Sequence, residues 1–232
     1  VMALQRTNFA SAEILAECLR GFEKEFQGEH SEKKRKQKRN RLRLEVTSIY
    51  TSIVESIHQT ALCRNMALKK HIVNFIIELH QHLKSNRNIF DMLQLRYQYC
   101  VIVSHVAEEL YSGTLASKEF EQTKEEISLR KNAFNLLSTW CSADIFQDEG
   151  TKKHLNSLLA TIKDNEKKKA YVNALREHIM VLQFSALTAM SSCLKGPHFE
   201  AILPGNAFFE FVDGFLRHHL DKVRLLARFM LE

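Results

Sequence analysis

An all-α fold of antiparallel helices is what this sequence predicts, and three observations predict it. Chain breakers are scarce, with two prolines and seven glycines in 232 residues. Apolar residues recur three and four apart almost throughout, the spacing that gathers them on one face of a helix. Short polar turns separate helical stretches of about 15–30 residues, an arrangement that makes neighbouring helices antiparallel. Paired along the chain, such helices give a HEAT- or armadillo-like α-solenoid with degenerate repeats, since no clean internal repeat is visible. A compact helical bundle has the same local pattern, and the two differ only in shape.

The first helix is expected over about 8–26, where Ala12, Leu15, Leu19, Phe22 and Phe26 share a face. Gly28 and the polar run after it form a basic connector over about 27–41. The next helix emerges from it with Leu42, Val46, Ile49, Tyr50, Ile53 and Ile57 in register. A third carries Leu68, Ile72, Phe75, Ile76, Leu79 and Leu83, and the polar run 85–88 ends it. Asn88 is placed to cap the following helix by accepting a free backbone N–H.

That following helix, about 89–111, has two apolar stripes. Phe90, Leu93, Tyr97 and Val101 make one; Leu95, Ile102, Val106 and Leu110 make the other. A helix apolar most of the way round is an internal one. Ser112 and Gly113 are expected to end it. Ile127, Phe134, Leu137 and Cys141 mark a fifth helix, and Leu155, Leu158, Leu159 and Ile162 a short sixth. The seventh, about 166–195, has the seam Leu175, Ile179, Leu182, Ala186, Met190 and Leu194. It would be roughly 45 Å long at the helical rise. Gly196-Pro197 stops it, and Pro204-Gly205-Asn206 opens a last helix or pair through Phe208, Phe211, Val212 and Phe215.

The whole chain, 1–232, reads as one helical repeat domain. A hydrophobic content of 45% supports a continuous core, and 26% charged residues is ordinary for a soluble protein. No apolar run approaches the roughly 20 residues that cross a bilayer, and the N-terminus lacks the layout of a signal peptide. Val1 stands where a methionine would begin a chain, and Val223 to Leu231 still reads as amphipathic helix, so the sequence reads as a piece of something longer. Cys18, Cys63, Cys100, Cys141 and Cys193 are odd in number and far apart, the pattern of reduced, buried thiols rather than a disulfide framework or a zinc site.

Charge is uneven. Lys33, Lys34, Arg35, Lys36, Lys38, Arg39, Arg41 and Arg43 put eight basic residues, with no acid, into the segment 33–43. Taking those eight from the net +6 leaves −2, so the rest reads as a mildly acidic body with one basic cluster. The cluster is the candidate partner-binding site. It suits an acidic protein, the phosphates of nucleic acid or anionic lipid, or a nuclear import receptor. It is equally a solvated connector and helix start. It holds no aromatic residue for base stacking, and no zinc finger or RNP motif accompanies it.

Nothing points to catalysis or a cofactor. The nucleophile elbow and both glycine-rich phosphate-binding patterns are absent. His80 and His82 diverge on a helix, as do His218 and His219, so neither pair has metal-ligand spacing. Cys141 beside Trp140 reads as a buried thiol, and Trp140 as core. Phe208, Phe211, Val212 and Phe215 can share one face, which Phe209 cannot easily join.

Three segments carry a resemblance: RLRLEVTSIYTSIVES (41–56), LRKNAFNLLSTWC (129–141) and ALREHIMVLQFSALTAMSSCLKGP (174–197). In their order and separation they resemble the N-terminal to central region of the Furry cell-morphogenesis family. That resemblance implies a very long HEAT/armadillo-like scaffold, cytoplasmic and in part cortical, working with NDR-class kinases and their Mob co-activators in polarised growth. These motifs are core-type and carry over no binding residue. Family members often have Gly after the Trp-Cys pair, where this chain has Ser142.

Overall fold

The computed structural model describes residues 19, 33–56, 61–86, 89–90, 92–116, 123–141, 149–196, 198–217, 221, 224–225 and 228. The side chains of 33–37, 61, 63, 114–116, 205, 206 and 208 lie outside that description. The helix expected over 8–26 also lies outside it, except Leu19, which is helical and buried.

Every element among the described residues is a helix. In chain order they are α1 (Lys33–Ser56), α2 (Ala61–Arg64), α3 (Met66–Ser85), α4 (Leu93–Ala116), α5 (Lys124–Trp140), α6 (Glu149–Ala160), α7 (Asn165–Leu194), α8 (Phe199–Ile202) and α9 (Gly205–Leu216). The all-α expectation holds. Several boundaries differ from it: Cys141 and Ile162 lie just past the ends of α5 and α6, both ends of α4 are shifted, and part of the expected connector is helix. The segment 33–41 is already helix, so the basic run is the first part of α1. α4 starts at Leu93 because Met92 has φ 62, a left-handed conformation that a right-handed helix does not contain. Ser112 and Gly113 do not end α4, which continues to Ala116. Gly113 is buried, and packing there outweighs the roughly 1 kcal/mol that glycine costs a helix interior. Asn88 and Ser142 fall outside the described residues; the observed N-caps include Asn65, whose side chain accepts from the Leu68 N–H at 3.0 Å, and Thr123 of α5.

The core grows from stripes that the sequence shows. α3 buries Leu68, Ile72, Phe75, Ile76, Leu79 and Leu83. Each such burial contributes about 1.5–3 kcal/mol. α4 is the central helix, as its two stripes require, and packs against α1, α2, α3, α5 and α7. Its Leu95, Ile102, Val106 and Leu110 stripe is fully buried, whereas Tyr97 of the other stripe is exposed. α1 lies on α4 and α4 on α7; α3 lies on α5 and α5 on α8. Tyr50 of α1 stacks on Phe75 of α3 with ring centroids 3.8 Å apart. Trp140 is core, with Tyr99 edge-on at 5.9 Å. At the C-terminal end Val212 is buried, Phe211 meets Phe134 at 5.4 Å, and Phe209 points outward. The three described thiols, Cys100, Cys141 and Cys193, are free and buried.

Candidate interaction surface

The basic cluster winds around a helix, so its eight residues do not form one patch. A helix turns 100° per residue, and positions 39, 43, 46, 50 and 53 fall in one seam. That seam is the buried one: Val46, Tyr50 and Ile53 are core. Arg43 is therefore drawn inward. It is buried, and its Nη1 donates to Asn40 Oδ1 at 3.1 Å. Burial, with Arg39 nearby, lowers its pKa from the ordinary arginine value. Its carbonyl accepts from Thr47 Oγ1 at 2.7 Å. Arg39 is half-buried, while Lys38 and Arg41 are exposed, and Arg41 pairs with Glu45 at 3.2 Å. Lys33, Lys34, Arg35 and Lys36 have helical backbones, and their side chains lie outside the described residues. The solvent-facing charge shown here is that of Lys38 and Arg41.

A second basic segment escaped the sequence reading. Residues 152–176 contain seven lysines and arginines against two acids, Asp164 and Glu166. The apolar residues between them hide the run in a linear scan. Lys153, Lys163, Lys167, Lys169 and Arg176 are exposed. Lys169 pairs with Glu166 at 3.0 Å, and Asp164 caps α7 by accepting from the Glu166 and Lys167 N–H groups. α6 has no buried residue, and its Leu155, Leu158 and Leu159 are half-buried. The first ten residues of α7 are exposed or half-buried, so this part of the chain stands at the edge of the core.

The buried polar groups that periodicity could not reveal serve the fold. Arg96 of α4 donates from Nη2 to the Asn86 carbonyl, 2.7 Å away at the end of α3, and its guanidinium lies 4.9 Å from the Trp140 ring. Arg130 of α5 donates from Nε and Nη2 to the Cys193 carbonyl, at 2.9 and 2.5 Å, and from Nη2 to the Lys195 carbonyl. Both arginines meet carbonyls at helix C-termini, the groups that no intrahelical N–H reaches. Lys69 Nζ and Glu126 Oε1 form a buried pair at 2.7 Å. Glu126 Oε2 also accepts from the Thr123 N–H at 2.9 Å, closing the capping box of α5. On the α4–α7 contact, Glu108 Oε1 accepts from Ser192 Oγ at 2.9 Å and pairs with Lys195 at 2.5 Å.

Burial pushes the Cys141 thiol up to about 12, and the Cys193 thiol likewise, with Arg130 pulling the latter down. A thiol so shifted is not a nucleophile near neutral pH. No group of three His, Cys, Asp or Glu suited to a metal ion occurs among the described residues. His80 makes a hydrogen bond with Tyr99 Oη at 3.1 Å. His218 and His219 lie outside the description.

Packed helices, with buried polar groups spent on helix ends and charge on the outer faces, define the described residues as an all-helical array. No described helix is long and apolar enough to cross a membrane. The family model of the cell morphogenesis central region matches residues 1–204, and the chain belongs to that family. The match agrees with the resemblance read from the three segments. No curated protein and no solved structure matches the chain.

Proposed function

We propose that this chain is a non-catalytic scaffold segment, a HEAT/armadillo-like α-solenoid that supports NDR-class kinase and Mob signalling in polarised growth. Membership of the cell morphogenesis family carries the reading. The helix order supports it, since α1, α4 and α7 follow one another in contact, as do α3, α5 and α8. Successive contacts of that kind are how a solenoid extends a surface without needing a catalytic cleft. On this reading the protein is cytoplasmic and partly cortical, and it binds protein rather than nucleic acid. Lys38 and Arg41, at the basic start of α1, are the first contact for an acidic partner surface.

Binding of the chain to a purified Mob–NDR kinase complex tests the proposal, at low and moderate salt. A K38Q/R41Q variant and a short duplex DNA competitor complete the set. Saturable binding that survives moderate salt supports the scaffold. Tight, steeply salt-sensitive binding to the DNA alone, lost in K38Q/R41Q, transfers the function to phosphate binding, because each neutralised phosphate releases counterion.

A further inference from the structure

α7 has two seams. One, through Leu175, Ile179, Leu182, Ala186, Met190 and Cys193, is buried. The other runs through Lys167, Ala170, Ala174, Glu177, Val181, Phe184 and Thr188. Its spacings alternate three and four, the repeat by which one helix presents a straight seam to another. The seam extends roughly 32 Å at the helical rise. It faces outward: Val181 is 55% exposed, and Phe184 and the adjacent Met180 are each 38% exposed. Single exposed apolar residues are normal, but Val181 and Phe184 in line with two alanines that admit a close backbone, and Met180 beside them, are a patterned face.

We propose that this outer seam of α7 is the docking site for an amphipathic helix of a partner protein, apolar at one end and acidic at the other. Charge selects that occupant. The N-terminal end of the seam carries Lys167, with exposed Lys163 just before it, and it coincides with the positive end of the α7 dipole. Asp164 and Glu166 lie in the same turn, but the first is engaged with the α7 N–H groups and the second with Lys169. The C-terminal end carries Val181 and Phe184. A helix that fits places acids over Lys163 and Lys167, apolar residues over Val181 and Phe184, and a cation opposite Glu177. A second copy of this chain fits badly. Paired seam to seam in either direction with full overlap, it sets Glu177 against Glu177. A membrane would have to accommodate Glu177 in the middle of the face.

The inference stands on the α7 face and does not require the kinase reading. A labelled synthetic helix of about four heptads tests it by fluorescence anisotropy, with leucine in the seam, glutamates at one end and a central lysine. Its charge-reversed twin is the control. Saturable binding of the acidic helix is expected, with the twin at least about tenfold weaker. V181E/F184E, whose residues are exposed, should weaken binding by about tenfold or more. Equal binding of the two peptides, indifference to V181E/F184E, or no binding overturns the proposal. So does a concentration-dependent dimer by sedimentation that V181E/F184E abolishes, which makes a second copy the occupant. Co-sedimentation with phosphatidylserine vesicles through the same residues would overturn it in favour of a lipid surface.

Discussion

Arg130 of α5 ends in the last turn of α7, with Nε 2.9 Å from the carbonyl oxygen of Cys193. The guanidinium also reaches the Lys195 carbonyl, so one side chain closes the C-terminus of the longest described helix and ties α5 to it. Arginine is buried here, which desolvates it and lowers its pKa, yet it keeps several donors aimed at fixed acceptors. Arg130→Met removes those donors and leaves the buried Cys193 carbonyl without them. The expected loss is about 2–3 kcal/mol, read as a lower urea midpoint. Arg130→Lys should recover only part of it, because an ammonium cannot reproduce the planar fork. A variant as stable as the parent would mean that water satisfies that carbonyl.

Lys69 and Glu126 make a buried pair between α3 and α5, and Glu126 also accepts from the N–H of Thr123, the N-cap of α5. Lys69→Met strands the carboxylate away from water and should cost about 3–5 kcal/mol. Glu126→Gln keeps an acceptor for the cap but leaves the ammonium without its counter-charge. The double variant K69M/E126Q should be less destabilised than the sum of the single changes. A double-mutant cycle by urea unfolding measures that coupling, and strict additivity would show that the pair is not energetically linked.

Gly196 follows the C-cap of α7 with φ 91, where an L side chain is strained. A Cβ there would also stand 3.1 Å from Tyr111 Cδ2. Gly196→Ala should therefore cost about 1–3 kcal/mol in thermal or urea unfolding. Adding Tyr111→Ala separates the causes: relief in the double variant assigns the cost to the ring contact, and persistence assigns it to the backbone.

The helices were legible because core residues repeat at a fixed spacing, and α3 shows this from Leu68 to Leu83. Helix ends were less legible. Met92 adopts a left-handed backbone that its own side chain does not favour, and buried Gly113 is carried within α4 by packing that no local pattern announces. The candidate site was legible as composition but not as geometry. Eight charges within eleven residues read as one patch, whereas the turn of α1 sends Arg43 into the seam of Val46 and Tyr50 and leaves Lys38 and Arg41 outside. Counting back from Tyr50 by seven residues would have found Arg43. Arg96 and Arg130 had no such signal, since their partners are backbone carbonyls on other helices, set only by the tertiary arrangement.

His80 gives the protein a pH-dependent component of stability whose sign follows from its surroundings. Its ring hydrogen-bonds Tyr99 Oη at 3.1 Å, and burial first, then the charge of Lys84, lowers its pKa below the ordinary 6.5. The folded state thus prefers the neutral ring, while the unfolded chain takes up a proton near 6.5. Stability from this residue is present above the unfolded pKa and is lost as pH falls through the folded one. Tyr99 does not titrate in that window, because burial raises its pKa further above 10. Urea midpoints at about pH 7.5 and 5.5 should fall more in the parent than in His80→Gln, which retains a hydrogen-bonding group but cannot ionise. Equal falls in the two proteins would assign the acid sensitivity to other groups.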